Sequence, residues 1–353
     1  MLMNNIFKTL NLKENKKAKI VAISIVGVVV IVIILIFFAK VFDRHITAED
    51  RAIPPLIALA GKSEMNIAVG SSFNDPGASA TDNLDGDITN NISVGDDIDI
   101  NTIGTYKVTY AIQDSDNNIS QAQRIVNVIQ PNLDGIPILK YQSFFDPANR
   151  GSAKNAASIS INNFEQQIKY LKDNKWTFPT WAELNDYLDG TDVLPNKSIV
   201  LTADGGDDSL FSLAYPILKK YKIPMTAFIV TSITSKPHEL GVDKRIIKFE
   251  SNSNDMNNLE CSNKKAGLIT CIDDQAGLDD ISKSKQIIGK NLVFSYPFGS
   301  YNDHAKKLLK AANYKMAVTN DDGKAKPKAD KLALPRVPAY TAKTLDEFVS
   351  LIK

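Results

Sequence analysis

Histidine is almost absent from this 353-residue chain: His45, His238 and His304 are the only three. Few imidazoles are therefore on hand for metal binding or acid catalysis, and each reads as a surface side chain. His45 stands beside an apolar segment, His238 lies in a Ser-Lys-Pro-His loop, and His304 follows Tyr301-Asn-Asp at a helix start. Cysteine is scarcer still, with Cys261 and Cys271 alone. Their ten-residue spacing without a neighbouring histidine pair argues against zinc, and leaves either a disulfide closing a short loop or two free thiols. A charge surplus is missing too. The net charge is +1, and no basic cluster interleaved with aromatics occurs, which excludes a nucleic-acid partner.

What is present is unevenly distributed. Residues 20–39 form one uncharged apolar run preceded by Lys8, Lys13, Lys16, Lys17 and Lys19. A helix of this length rises about 30 Å, enough to cross a bilayer, and the lysines hold its N-terminus in the cytoplasm. The alternative, a cleaved signal peptide, fits less well: the run is long for a signal core, and no small-residue cleavage site follows Phe38. The reading is a cytoplasmic basic tail (1–19), a transmembrane helix (20–39), a linker (40–52) and two extracellular domains. The protein is thus expected in the cell membrane, single-pass, with its C-terminal domains outside.

Residues 53–130 carry ten carboxylates against three basic side chains. They alternate apolar and polar residues between Asp, Asn and Gly turns, as in Gly104-Thr-Tyr-Lys-Val-Thr-Tyr-Ala-Ile-Gln113, which predicts a β-sandwich. Asp82, Asp85 and Asp87 are close enough to suggest calcium. They lack a full set of spaced oxygen ligands, however, and read as turn and solvent-facing acids. The run Asp75-Pro-Gly-Ala-Ser-Ala-Thr-Asp-Asn-Leu-Asp-Gly-Asp-Ile-Thr89 resembles a bacterial Ig-like surface-protein module, which implies a spacer or adhesion unit.

From residue 131 strands and helices alternate, which predicts an α/β domain over 131–353. Asn163 is placed to cap a helix bearing Phe164, Ile168 and Leu171 on one face, and Thr180 with Glu183 forms a capping box before a helix that Gly190 stops. Strands are expected at residues 198–202, 225–230, 291–295 and 316–319. Helices are expected at 303–312 and at 210–221, the latter with Pro216 inside it.

Ser198-Ile-Val-Leu-Thr-Ala-Asp-Gly-Gly-Asp-Asp-Ser209 resembles the first motif of the polysaccharide deacetylase family (carbohydrate esterase family four), usually Thr-Phe-Asp-Asp-Gly. Gly135-Ile-Pro-Ile-Leu-Lys-Tyr-Gln142 resembles the family's opening strand. Tyr215-Pro-Ile-Leu-Lys-Lys-Tyr221 with Pro224-Met-Thr-Ala-Phe-Ile-Val230 matches the stretch after the first motif. Phe294-Ser-Tyr-Pro-Phe-Gly-Ser-Tyr-Asn302 matches the third motif, and Leu334-Pro-Arg336 a closing one. The resemblance implies a distorted (β/α) barrel with its site at the C-terminal strand ends. It also implies metal-assisted hydrolysis of an N-acetyl group, with Asp204 in the place of the base.

Several positions depart from that pattern. Gly205 stands where the first metal ligand belongs. In Ser251-Asn-Ser-Asn-Asp-Met-Asn257, Asn252 and Asn257 stand where two histidines belong. A glycine supplies no ligand and an amide only a neutral oxygen poorly suited to zinc, so no metal is expected. Gln142 replaces a histidine on the opening strand, Ser295 an arginine in the third motif, and no histidine lies near Arg336 to serve as the acid. Asp207, Asp208 and Asp255 lie near enough to make a relocated site, although the first two also suit a helix N-terminus. Tyr141, Gln142, Tyr296, Pro297, Phe298 and Arg336, together with Tyr301, are placed to line a sugar cleft, with core packing the alternative for the aromatics. The expected function is a membrane-anchored, metal-free pseudoenzyme that binds or scaffolds a cell-envelope or exopolysaccharide glycan. The alternative is an active N-deacetylase of an N-acetylhexosamine polymer using a divalent metal such as zinc.

Overall fold

The computed structural model describes residues 31–34, 47–149, 156–234, 237–289 and 292–353. Most of the apolar run at 20–39 lies outside these residues, as does His45. Residues 31–34 are helical, and among the described residues no helix is long and apolar enough to cross a membrane.

In chain order the first elements are α1 (Ala48–Arg51), β1 (Leu56–Leu59), β2 (Glu64–Ala68), β3 (Ala78–Asp82), β4 (Gly86–Asp87), β5 (Ser93–Asp96), β6 (Gly104–Gln113) and β7 (Ile119–Ile129). The second region comprises β8 (Ile138–Tyr141), β9 (Ser143–Phe145), β10 (Ser158–Ser160), α2 (Ile161–Asp173), α3 (Trp181–Asp189), β11 (Val200–Gly205), α4 (Tyr215–Tyr221), β12 (Met225–Ile229) and β13 (Ile247–Ser251). It continues with β14 (Leu259–Cys261), β15 (Ala266–Gly267), α5 (Asp274–Ile288), β16 (Val293–Ser295), α6 (Asp303–Ala311), β17 (Met316–Asp322), β18 (Leu334–Arg336) and α7 (Leu345–Ile352).

These elements gather into two compact units. The described part of the first holds residues 31–34 and 47–60 with Gly77–Val94 and Tyr110–Ala122. The second holds Gly61–Pro76, Gly95–Thr109 and Gln123–Lys353. The division runs through β6 and β7, strands of 10 and 11 residues. In the first unit β1 and β3 pair antiparallel and close over Ala80, Ile88 and Ile112. The acids of its turn are used locally: Asp82 Oδ1 accepts the Leu84 and Asp85 amides, and Asp87 Oδ1 the Thr89 amide. Those amides hold the Asp82 and Asp87 carboxyls below the usual carboxylate range, with the Thr89 hydroxyl the larger influence on Asp87.

In the second unit β2 runs parallel to β7. Arg124 is fully buried there, with Nε 3.2 Å from Asp75 Oδ1. Lys62, just before β2, pairs with Asp186 and Asp192 at 2.6 and 2.8 Å.

The larger part of the second unit is a seven-stranded sheet in the order β18-β17-β16-β13-β12-β11-β8, parallel throughout. It nearly closes on itself. Lys140 N donates to Val337 O and Val337 N to Ile138 O, both at 2.8 Å, linking the two outermost strands. Alternation along each strand sorts the side chains. Ile138, Val200, Phe228, Val293, Met316, Val318 and Leu334 pack together on one face. Leu139, Tyr141, Leu201, Ala203, Ala227, Ile229 and Ile247 turn to the other, against Phe164, Ile168 and Leu171 of α2, Leu218 of α4 and Phe348 of α7.

Two local expectations are corrected. Helix α2 begins earlier than Asn163, because Ser160 caps it by accepting the Asn163 amide. The 210–221 segment is a π-turn over Leu210–Ala214 followed by α4, which places Pro216 in the first α-turn, where its missing N–H costs little. Thr180 and Glu183 do form the capping box, and Gly190 ends α3 in the left-handed conformation.

Candidate functional site

The inward apolar layer gives way to a polar one two residues on along several strands, as a period of two demands. Ile138 is followed by Lys140, Val200 by Thr202 and Asp204, Val293 by Ser295, Val318 by Asn320, and Leu334 by Arg336. All sit at the C-terminal ends of parallel strands, where such barrels carry their chemistry.

Asp204 and Arg336 form its centre. Arg336 is 1% exposed and meets the carboxylate end-on, Nη1 to Oδ1 and Nη2 to Oδ2, both at 2.7 Å. The remaining donors are spoken for: Nε reaches Thr319 O at 2.8 Å, Nη1 also Thr202 Oγ1 at 3.3 Å, and Nη2 also Asn320 Oδ1 at 3.1 Å. Ser295 Oγ adds a third donor to Asp204 Oδ1 at 3.1 Å. Such a planar two-point pair fixes the carboxylate in orientation as well as charge. Arg336, expected to contact sugar, is thus a positioning residue for Asp204. Sequence reasoning missed this because Arg336 and Asp204 are 132 residues apart.

The positions expected to hold a metal differ in chemistry and in exposure. Gly205 has φ +86°, a conformation that side-chain-bearing residues avoid, although a Cβ there would meet nothing within 4 Å. Asn252 is buried and its Nδ2 donates to Ser295 O at 2.7 Å, so Ser295 links it to Asp204. Asn257 is exposed. Its loop is tied down before it: the Asp280 carboxylate accepts the Asn254 and Asp255 amides at 2.8 and 2.7 Å, and Met256 is buried, which leaves Asn257 outside. Burial pushes the Asp280 carboxyl up, against the pull of those amides. Among the described residues no group of three His, Cys, Asp or Glu side chains is placed to hold a metal ion. The residues present do not fit a divalent cation of the family type.

Two of the acids considered for a relocated site are engaged separately. Asp207 Oδ1 accepts the Ser209 amide at 2.9 Å, as a helix-start acid does, and Asp255 Oδ1 accepts Ser232 Oγ at 3.1 Å. His304 Nε2 contacts Ile272 O at 2.8 Å at the start of α6, and the side chain of His238 lies outside the described residues.

Tyr141 and Tyr296 do not line a cleft. Both are buried, with their hydroxyls on Gln167 Oε1 at 2.6 Å and Leu332 O at 3.0 Å, and burial pushes both hydroxyls up. This is the packing alternative: both side chains alternate to the face opposite the polar layer. Pro297 is buried as well, whereas Gln142 is partly exposed and Phe298, at φ +58°, is 48% exposed. Tyr301 stacks on Tyr296 and donates to Asp321 Oδ2 at 2.7 Å. A cavity of about 270 Å³ lies at the other, N-terminal ends of β11 to β13, between Trp181, Leu201 and Met225. It is separate from Asp204.

Cys261 and Cys271 are joined by a disulfide that braces the β14–β15 hairpin. That hairpin meets the third motif, since a Cβ on Gly267 would come within 3.0 Å of Pro297 O.

Comparison with known proteins agrees with this architecture. Residues 57–128 match the family model for a bacterial surface protein Ig-like domain, and residues 191–317 that for polysaccharide deacetylase. A poly-beta-1,6-N-acetyl-D-glucosamine N-deacetylase of Staphylococcus aureus is 32% identical over 201 residues, covering 51% of this chain and 67% of that protein. Its Staphylococcus epidermidis counterpart is 27% identical, covering 56% and 71%. Among solved structures, the Streptococcus pyogenes deacetylase PplD in complex with acetate aligns at TM-score 0.52 with 21% identity, covering 64% of this chain and all of that one. IcaB from Ammonifex degensii aligns at 0.50 with 24% identity, covering 63% and 97%. With its seven parallel strands, its motifs in order and a relative of this similarity, the chain belongs to the polysaccharide deacetylase family.

Proposed function

We propose that the protein is a glycan-binding member of its family that works without a metal, a pseudoenzyme holding a cell-envelope or exopolysaccharide chain at the barrel mouth. One observation carries this reading: Gly205, Asn252 and Asn257 supply no anionic or imidazole ligand, and the charge of Asp204 is already met by Arg336. The staphylococcal relatives are named for poly-β-1,6-N-acetylglucosamine, which makes an N-acetylhexosamine polymer the first glycan to try. We further place the protein in the cell membrane, anchored by residues 20–39 with both extracellular units outside, on the strength of the apolar run and the lysines before it.

The second reading is an active N-deacetylase. It is favoured by the orientation of Asp204, which Arg336 and Ser295 hold as a base would need to be held. That reading requires a metal gripped by residues other than the family's own. The separating experiment measures metal bound per chain after incubation with zinc, cobalt or nickel and removal of loose ions, alongside acetate release from β-1,6-linked N-acetylglucosamine oligomers. No bound metal and no acetate is the expected result. About one tightly held metal, with acetate release that stops in Asp204→Asn, overturns the metal-free reading.

A further inference from the structure

Lys140, inside the opening-strand motif, is a member of the polar layer to which the family resemblance gives no role. It follows the inward residue Ile138 on β8 and reaches the site from the strand beside β11. Its Nζ donates to Asn320 Oδ1 at 2.7 Å. The same oxygen receives Nη2 of Arg336 at 3.1 Å. Two cations therefore converge on one neutral amide oxygen.

Their charges are not equally met. Arg336 has both oxygens of Asp204. Lys140 has no carboxylate within ion-pair distance among the described residues. It feels Asp204 and Asp322 only through space, and Asp322 is exposed, where water screens it. An ammonium carries three donors, and a single hydrogen bond to a neutral amide uses one. Burial, aided by Arg336, pushes Lys140 below the usual lysine range, the mark of a cation short of compensation. Asn320 is itself exposed, so the spare donors lie at the open mouth of the barrel, not in the core. A partly buried cation in that position gains most from an anion that arrives with its ligand.

We propose that Lys140 makes the barrel mouth selective for anionic sugars, docking the carboxylate of a uronic acid residue on its ammonium. The inference rests on the glycan-binding reading above and narrows it to acidic glycans. Arg336 does not serve this purpose, because turning to a ligand would strip Asp204 of both guanidinium hydrogen bonds and leave it Ser295 alone.

The test is calorimetric titration of the full chain at pH 7 with two probes. One is an octasaccharide of alternating glucuronic acid and N-acetylglucosamine, and the other a neutral β-1,6-linked N-acetylglucosamine hexamer. The uronate probe is expected to bind at least tenfold more tightly, with an affinity that falls as KCl is raised. Lys140→Gln should lose that preference and Lys140→Arg should keep it. If Lys140→Gln does not fold, the salt dependence in the unmodified chain and the Lys140→Arg titration decide. Equal binding of both probes, or uronate binding that is indifferent to salt and to Lys140→Gln, overturns the role of Lys140 and leaves glycan binding standing. Binding of neither probe overturns both.

Discussion

The Asp204–Arg336 pair makes a prediction with an unequal pair of costs. Breaking a buried ion pair by removing one partner costs about 3–5 kcal/mol, mostly because the other charge is stranded. Here the partners are stranded differently. Arg336 is 1% exposed, whereas the Asp204 side chain is 17% exposed and in reach of water. Asp204→Ala leaves a guanidinium with no carboxylate and no solvent, and belongs at the upper end of that range. Arg336→Met leaves a carboxylate that water can partly rehydrate and that Ser295 still contacts, at the lower end. It also frees Thr319 O, at a further ~1 kcal/mol. The double variant Asp204→Ala/Arg336→Met strands neither charge and should recover about 2–4 kcal/mol of the summed losses. Urea unfolding of the four proteins at pH 7 measures the cycle. Single costs that add within about 0.5 kcal/mol would mean the pair is not coupled, and the account of Arg336 as the brace of Asp204 would be wrong.

Further predictions concern the frame around the site. Glu250 is buried and pushed up to about 8 from 4.5 by desolvation, while accepting the Leu292 amide at 3.2 Å where β13 and β16 pair only briefly. The folded state keeps that proton while the unfolded state loses it. Stability therefore falls as pH rises from about 4.5 to about 8, by up to roughly 5 kcal/mol, and Glu250→Gln should flatten the decline in thermal melts taken across that window. Replacing Cys261 and Cys271 by serine releases a loop of sequence separation 10 and should cost about 2–3 kcal/mol in chemical unfolding, with the hairpin against the third motif loosening first in hydrogen exchange. Gly206→Ala should lower the melting temperature more than Gly205→Ala. Both positions have positive φ, but only at Gly206 would the new Cβ press on Ile229, at 2.8 Å, whereas at Gly205 strain of about 1–2 kcal/mol acts alone.

Local signals were legible where short-range physics sets the structure. β6 spans the residues that its alternation marks, and α3 is bounded by its capping box and Gly190. Where the outcome depended on a distant partner, the sequence was ambiguous. Ser160 and Asn163 are both good caps three residues apart, and Ser160 starts the helix at the end of β10. Tyr141 and Tyr296 sit in motifs that suggest a cleft, but strand alternation turns them to the helix side. Lys140 could have been found by that same alternation, counted from Ile138, had the register of β8 been known. Arg336 could not, since its role is defined only when β18 closes towards β8.

The polar layer also explains how the barrel keeps its form under the metal-free reading. A site built for a dication concentrates negative charge, which repels itself when the ion is missing. This mouth instead balances Asp204 and Asp322 against Arg336 and Lys140, with Asn320 bridging the two cations. Asp204 needs no metal to neutralise it, because Arg336 lies on both of its oxygens. A dication entering beside Gly205 would approach two cations and find no carboxylate without a partner at the centre. Under the metal-free reading the same balance leaves one ammonium under-used, which a ligand bringing its own carboxylate would complete. On this argument the loss at Gly205, Asn252 and Asn257 and the presence of Lys140 are one change in the chemistry the barrel mouth prefers, from holding a cation to receiving an anion.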